Sequence, residues 1–225
     1  MTASEAPLAG VRVDRRVRQW RCIVVDPPWE YPEGFHGRDI PYDTMTLEEI
    51  KALPVEKMLM REGYVFMWTT NKYLEKSFEV MRSWGCTPRQ TLTWCKPENG
   101  VGLGGMFTTN TEFVVIGQRI SERSNARTKN TTGIRESTSW FVWPKRGHSE
   151  KPEEFYTMIE RVCLGPYLEM FARDRSPLFP TREGWDVFGN QATGSIELPN
   201  TEVTGRPLAD GPVDRRVRRQ TDGVE

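Results

Sequence analysis

The tetrad Asp26-Pro27-Pro28-Trp29 directly follows a hydrophobic run, and its residue types could do chemistry there. A carboxylate can accept one N–H of an aromatic amine while a backbone carbonyl accepts the other. Such contacts draw the nitrogen towards tetrahedral geometry and localise its lone pair. Proline has no N–H and a fixed φ, so it helps to hold the preceding carbonyl outward. The ring of Trp29 offers a stacking surface for an extruded base. The alternative is a turn that merely ends a strand.

The rest of the sequence alternates between strand-like and helix-like segments. Strand patterns occur at 21–26, 63–69, 90–96, 112–117, 138–143, 167–171 and 185–188. Helical patterns begin at Thr46, where Glu49 completes a capping box, at Asn71, which we expect to cap its helix, and at Pro152. This alternation predicts an α/β fold with a doubly wound, mixed or mostly parallel sheet. Ligands of such sheets bind beyond the carboxyl ends of the strands, where the tetrad lies.

The bulk composition limits the class of protein. We divide the 225 residues into a basic extension (1–20), a globular domain (21–198) and a flexible tail (199–225). No apolar run is long enough to span a bilayer, and the amino terminus lacks the apolar core of a signal peptide. The four cysteines form no CxxC pair and the chain has two histidines. We therefore expect a cytoplasmic protein without a metal site or a disulfide framework.

The charge of the whole chain does not indicate a polyanionic partner, because 31 Lys and Arg balance 31 Asp and Glu. Basic residues are concentrated in 119–135, which has five Lys or Arg and one acidic residue, and again in 144–148 (PKRGH). We interpret 119–135 as a loop whose Arg123, Arg127 and Lys129 contact phosphates; a surface loop with no role is the alternative. The string VDRRVR occurs at 13–18 and at 213–218, and we have no physical account of this repeat.

Further blocks of sequence occur in the order found in one family of enzymes. They are PYDTM at 41–45, GYVFMW at 63–68, WCK at 94–96, NTEFVVIG at 110–117, SEKP at 149–152, MIER at 158–161, LEMFAR at 168–173 and GNQ at 189–191. With the tetrad, they make 21–198 resemble the DPPW-type adenine methyltransferases, the family of the catalytic subunit of the eukaryotic mRNA adenosine methyltransferase. The resemblance implies a Rossmann-like, S-adenosylmethionine-dependent methyltransferase fold in permuted order, with the catalytic tetrad near the amino terminus.

The resemblance also implies roles for individual residues. The catalytic tetrad would be Asp26, Pro27, Pro28 and Trp29. S-adenosylmethionine would be bound by Asp26, Lys151, Glu169, Arg173, Asn190 and Gln191. The adenine would be bordered by Tyr42, Trp94 and Glu112. The sequence departs from the family's mRNA enzyme at Arg175 and Ser176, which stand in place of histidine and asparagine. This difference concerns the adenosine end of the cofactor pocket.

From this resemblance we expect a site-specific enzyme that methylates the 6-amino group of adenine, with the base flipped into the site. DNA is favoured over RNA, because small stand-alone members of the family resemble microbial or viral DNA-modifying enzymes. RNA as the acceptor is one alternative. A catalytically inactive nucleic-acid-binding subunit is the other, and the intact tetrad argues against it. We expect no metal and no membrane partner, and we leave a homodimer open. A viral protein would act in the cytoplasm of its host.

Overall fold

The computed structural model describes residues 18–30, 43–96, 106–120, 130–144, 150–174 and 182–199. Four residues that we predict to contact the substrate lie outside these ranges, namely Tyr42, Arg123, Arg127 and Lys129. Residues 1–17 of the amino-terminal extension and residues 200–225 of the carboxyl-terminal tail lie outside them as well. In the described ranges, no helix has the length and the apolar character that a membrane span requires.

Seven strands of the described residues form one mixed, mostly parallel sheet, which confirms the predicted fold class. The strands are β1 (Trp20–Val25), β2 (Leu59–Thr69), β3 (Thr87–Cys95), β4 (Thr111–Gln118), β5 (Trp140–Val142), β6 (Tyr167–Met170) and β7 (Trp185–Phe188). Their order across the sheet is β5-β3-β4-β2-β1-β6-β7. β4 runs antiparallel to both of its neighbours, whereas every other pair is parallel. All of these strands except β4 therefore point the same way.

Helices cover both faces of this sheet. They are α1 (Leu47–Lys51), α2 (Val55–Met58), α3 (Leu74–Ser83) and α4 (Glu153–Val162). Successive side chains of a strand point to opposite faces. Ile23 and Val25 of β1 accordingly pack into one core cluster with residues of α1, α2 and α3. Cys22 and Val24 pack into a second cluster with Phe155 of α4. The arrangement is the doubly wound one that the sequence predicts.

The starts of α1 and α3 show how local and tertiary contacts compete. Thr46 caps α1 through the predicted capping box, because its Oγ1 accepts from the Glu49 N–H and the Glu49 carboxylate accepts from the Thr46 N–H. The prediction that Asn71 caps a helix is wrong. The segment Asn71–Tyr73 forms one 3-10 turn, and α3 begins at Leu74 without a side-chain cap. Tyr73 takes the cap position, and its ring stacks on Trp29 of the tetrad, a tertiary contact that local cap preference does not include.

The common direction of the strands gathers chemically active residues at one end of the sheet, here called the carboxyl edge. Asp26 and Lys96 lie there because they directly follow β1 and β3. Glu112 lies there for the opposite reason, because the antiparallel β4 begins at this edge. Arg173 and Asn190 follow β6 and β7. Residues from five separate parts of the chain thus meet at the carboxyl edge.

Gly189, directly after β7, lies where the backbone leaves no room for a side chain. A Cβ atom there would be 2.2 Å from the carbonyl oxygen of Ala172, which follows β6. We expect Gly189→Ala to push these two segments apart and to lower the free energy of unfolding by about 1–3 kcal/mol, the usual cost of overpacking. Denaturant unfolding measures the change. An unchanged midpoint would mean that residue 189 is not held against Ala172.

Candidate active site

The tetrad forms a turn at the carboxyl end of β1 that backbone hydrogen bonds stabilise. The Trp29 N–H donates to the Pro27 carbonyl at 2.9 Å, and the Met45 N–H donates to the Pro28 carbonyl at 2.8 Å. Trp29 and Met45 also form a parallel β-bridge. The two prolines have no N–H to donate, so they contribute to the hydrogen bonding of the turn through their carbonyls. The side chain of Asp26 is 38% exposed and is accessible to a bound molecule.

Four charged side chains meet at the carboxyl edge and form what we call the four-charge cluster: Asp26, Lys151, Glu112 and Lys96. The Nζ of Lys151 lies 3.1 Å from Asp26 Oδ2 and 3.1 Å from Glu112 Oε2. The other carboxylate oxygen, Glu112 Oε1, lies 2.6 Å from Lys96 Nζ. Lys151 is 12% exposed and Lys96 is 14% exposed. Positive and negative charges alternate along the cluster, and both of its lysines are largely removed from water.

The protonation states of the cluster follow from burial and pairing. Burial raises the pKa of Asp26 above its ordinary value, against the opposing charge of Lys151. Burial acts on Glu112 in the same direction, but Lys151 and Lys96 together outweigh it and lower the pKa of Glu112 to about 2. Burial alone would lower the pKa of Lys151, whereas Asp26 and Glu112 hold it above its ordinary value. Glu112 and Lys151 are therefore charged at neutral pH.

Two tryptophan rings lie against the lysines of the cluster. Lys151 Nζ is 4.9 Å from the centroid of the Trp68 ring, and Lys96 Nζ is 5.0 Å from that of Trp94. The two rings meet edge to face, with centroids 5.8 Å apart. Trp94 is 3% exposed, and its Nε1 donates to the Trp143 carbonyl at 3.0 Å. Its described contacts are with the cluster and the core, and its predicted contact with adenine stays a prediction.

Trp29, which we predict to stack on a base, already stacks on Tyr73. The ring centroids are 5.0 Å apart and the planes differ by 9°. The Tyr73 hydroxyl donates to the Glu30 carbonyl, which fixes the tyrosine against the turn. Within the described residues, the buried indole N–H of Trp29 has no acceptor. One face of Trp29 is thus covered by the protein, and stacking on a base stays a prediction.

Four of the six residues predicted to bind the cofactor lie in and after β6 and β7, whereas Asp26 and Lys151 belong to the four-charge cluster. Glu169 of β6 accepts a hydrogen bond of 2.5 Å from the Tyr156 hydroxyl. Arg173 forms a parallel β-bridge with Gln191, and its charge favours the ionised form of Asp26. Asn190 and Gln191 are exposed.

This donor set fits S-adenosylmethionine. The Glu169 carboxylate suits the two ribose hydroxyls, and the two amides suit polar edges without adding charge. Among the described residues, no group of His, Cys, Asp and Glu side chains is arranged to hold a metal ion.

Two described residues of the basic segment 119–135, Arg119 and Asn130, contact the sheet away from the carboxyl edge. The Arg119 guanidinium donates to the Leu59 carbonyl at 2.7 Å, and the Asn130 side-chain amide donates to the Arg61 carbonyl at 3.0 Å. Leu59 and Arg61 are among the first residues of the strand β2, at the end of the sheet opposite to Asp26. The phosphate contacts that we predict for Arg123, Arg127 and Lys129 lie outside the described residues and stay a prediction.

Several residues that contact the predicted site were not themselves predicted to belong to it. They are Lys96, Trp68, Tyr73 and Tyr156. A charged residue at the carboxyl end of a predicted strand could have indicated Lys96, because the carboxyl ends of parallel strands carry the ligands of such sheets. No comparable pattern indicates the three aromatic residues, since they continue strand or helix patterns that are typical of a core.

The sequence is similar to those of known methyltransferases. The MT-A70 family model matches residues 20–191. A putative N(6)-adenosine-methyltransferase MT-A70-like protein of Medicago truncatula is 30% identical over 179 residues, which are 76% of this chain and 26% of that protein. The human N(6)-adenosine-methyltransferase catalytic subunit METTL3 is 26% identical over 197 residues, 84% of this chain and 30% of its own.

A bacterial relative matches over most of its length. The type II methyltransferase M.MunI of a Mycoplasma species is 26% identical over 211 residues, which are 83% of this chain and 81% of M.MunI. The chain thus spans less than a third of the length of the N(6)-adenosine relatives and most of the length of M.MunI.

The pairing of Glu112 predicts how stability depends on pH. Because its pKa falls from an ordinary 4.5 to about 2 on folding, its pairing stabilises the fold above pH 4.5 and is lost as the pH falls towards 2. From about pH 6 to about pH 3.5, the wild type should lose about 1 kcal/mol more free energy of unfolding than Glu112→Gln. Denaturant unfolding at several pH values measures this, and replacing the exposed Glu183 by Gln is the control. Parallel curves for the wild type and Glu112→Gln would contradict the pairing.

Proposed function

Because the chain belongs to the MT-A70 family of methyltransferases, we propose that it transfers a methyl group from S-adenosylmethionine to the 6-amino group of adenine in DNA. The observation that carries the proposal is the Asp26 carboxylate, held at the carboxyl edge by the buried ammonium of Lys151. The acceptor base is flipped out of its stack to reach this carboxylate, at a cost of a few kcal/mol in a duplex.

Asp26 and the tetrad orient the amine. Lys151 holds Oδ2 of Asp26, so Oδ1 accepts one N–H of the adenine amine. A carbonyl of the tetrad accepts the other N–H. The Pro27 and Pro28 carbonyls each already accept one backbone N–H, which fixes their direction and leaves each a second lone pair. The two contacts localise the lone pair of the nitrogen and aim it, and orientation of this kind is worth several kcal/mol.

The surroundings of Asp26 support this role. When bound, S-adenosylmethionine supplies a methyl group that is already activated by a sulfonium charge, so the chain's own residues have to bind and orient rather than form a covalent intermediate. Lys151 favours the ionised form of Asp26, which is the form that accepts an N–H. The buried N–H of Trp29, which has no acceptor within the described residues, provides a donor for an acceptor atom of the bound base.

Cofactor binding is assigned to the ends of β6 and β7. Glu169 accepts from the ribose hydroxyls, with its orientation fixed by Tyr156. The bridge between Arg173 and Gln191 keeps these two ends together. Asn190 and Gln191 present exposed amides beside them. Lys151, which also pairs with Asp26, connects the cofactor side of the site to the acceptor side.

DNA is the favoured acceptor, with RNA as the second candidate. The match to the type II methyltransferase M.MunI covers 81% of that protein, which supports the analogy with small DNA-modifying members of the family. The similarity to the N(6)-adenosine-methyltransferases covers a smaller part of their length, and it is the argument for RNA as the acceptor. A catalytically inactive binding subunit is the third candidate. The intact tetrad with its paired Asp26 argues against it.

Because a site-specific enzyme needs its recognition sequence, the acceptor is tested with oligonucleotide pools of randomised sequence, made as single- and double-stranded DNA and RNA. Each is incubated with methyl-labelled S-adenosylmethionine, and its nucleosides are identified by mass spectrometry. We expect N6-methyladenine in DNA, with a kcat/KM at least about tenfold above that for RNA. Oligonucleotides that carry purine without the amino group in place of adenine are the control and should take up no label.

Two results would contradict the proposal. Label confined to RNA adenine would exclude DNA as the acceptor. The absence of N6-methyladenine from all four substrates, with calorimetric binding of S-adenosylmethionine intact, would contradict the enzymatic function itself.

A further inference from the structure

We propose that Lys96 is a positioning residue of the methyl transfer, which fixes Glu112 and, through Lys151, the Asp26 carboxylate. The inference rests on the proposed function and adds a residue to it. Lys96 touches neither Asp26 nor Lys151 in the described contacts, and its ion-pair partner among the described residues is Glu112. Its effect on Asp26 is therefore indirect and passes along the four-charge cluster.

Lys96 acts through Glu112, which contacts both Lys96 and Lys151. Its carboxylate is shared, with Oε1 at 2.6 Å from Lys96 and Oε2 at 3.1 Å from Lys151. Two ammonium groups on the two oxygens of one carboxylate determine both its charge and the rotation of its plane. The rotation of the Glu112 carboxylate sets where Oε2 meets Lys151, and Lys151 in turn meets Asp26 Oδ2 at 3.1 Å. A displacement at Lys96 thus reaches Asp26 through two contacts.

Besides its ion pair with Glu112, Lys96 is held by a backbone hydrogen bond and by an aromatic ring. Its backbone N–H donates to the Asn110 carbonyl at 2.9 Å, which ties it to the residue before β4. Its ammonium lies over the ring of Trp94, and that ring is fixed by the hydrogen bond from its Nε1 to the Trp143 carbonyl. The side chain is 14% exposed, so few other positions are open to it. A side chain held in this way can fix its partner with little loss of its own conformational entropy.

The balance of charge explains why one lysine would not suffice. The cluster contains two carboxylates and two ammonium groups. Without Lys96, the single ammonium of Lys151 would serve both Asp26 and Glu112. The two carboxylates would compete for it, and Glu112 would lose the charge that opposes its burial. Lys151 would then shift towards Glu112 and release Asp26, because a buried carboxylate without a partner is costly.

A purely structural role for the Lys96–Glu112 pair is the alternative, since the pair joins the ends of β3 and β4. These strands are already paired from Thr87 opposite Gln118 to Cys95 opposite Thr111, with one register shift between Pro88 and Gln90. The alternative predicts that replacing Lys96 changes stability and leaves the turnover of the folded protein unchanged. Positioning predicts a loss of kcat in a protein that is still folded.

The test compares Lys96→Met, Lys96→Gln and Lys96→Arg in the full chain, on the DNA acceptor. Lys96→Met and Lys96→Gln should lower kcat roughly tenfold to hundredfold, the range found when partners that orient metal ligands are removed. The KM for S-adenosylmethionine should change less than kcat, and Lys96→Arg should recover most of the loss because it restores the charge. Lys51→Met is the matched control, because Lys51 also pairs with two carboxylates, those of Glu48 and Glu79, but lies on α1. It should leave kcat unchanged.

The double variant Lys96→Met/Glu112→Gln shows whether Lys96 acts through Glu112. If it does, adding Lys96→Met to Glu112→Gln should change kcat by less than about twofold, and the two unfolding free energies should be strongly non-additive. The double variant also avoids an unpaired buried carboxylate, so it should fold even if Lys96→Met does not. Normal kcat in folded Lys96→Met or Lys96→Gln, or additive effects on kcat, would overturn the inference. A wild type that methylates no nucleic acid would overturn the proposed function instead, whereas the coupling in unfolding is measured without any methyl transfer.

Discussion

The ammonium of Lys151 is largely withdrawn from water, and it is stable there because Asp26 and Glu112 lie 3.1 Å away on either side. Removing such a charge from water costs several kcal/mol, which close carboxylates and an aromatic ring can offset. The rest of the site depends on this contact. The charge of Lys151 favours the ionised form of Asp26, against the burial that raises the pKa of this carboxyl, and Lys151 contacts one oxygen of Asp26, which leaves the other for the proposed acceptor.

The sheet makes this contact by reversing one strand. Parallel strands bring the residues that follow them to the carboxyl edge, and this accounts for Asp26, Lys96 and Arg173. A side chain near the start of a parallel strand would lie at the other end of the sheet. Because β4 is antiparallel to β2 and β3, Glu112 near its start lies beside the residues that end the neighbouring strands. The one antiparallel strand in the described sheet is thus the one that supplies the second carboxylate to Lys151.

The fold and part of the site could be predicted from sequence, because both follow from local patterns and the order of motifs. The alternation of strands and helices predicted the sheet, and the motifs indicated Asp26, Glu112 and Lys151 one at a time. Their contacts could not be predicted, since Lys151 and Glu112 are 39 residues apart and no local pattern encodes their pairing. The same limit applies to the basic segment 119–135. Its charge suggests contact with the substrate, which stays a prediction, and its described residues Arg119 and Asn130 contact the amino end of β2.

The turnover of Asp26→Ala tests most directly whether this carboxylate orients the amine. Methyl transfer to DNA adenine is measured for the variant and for the wild type, with unfolding curves to show that both are folded. We expect a loss of at least about a hundredfold, the low end of what a positioned catalytic group contributes. The protein should still fold, because Asp26 follows β1 and is not part of the hydrophobic core. Near-normal turnover in a folded Asp26→Ala protein would contradict the role assigned to Asp26 and to the lysine that holds it.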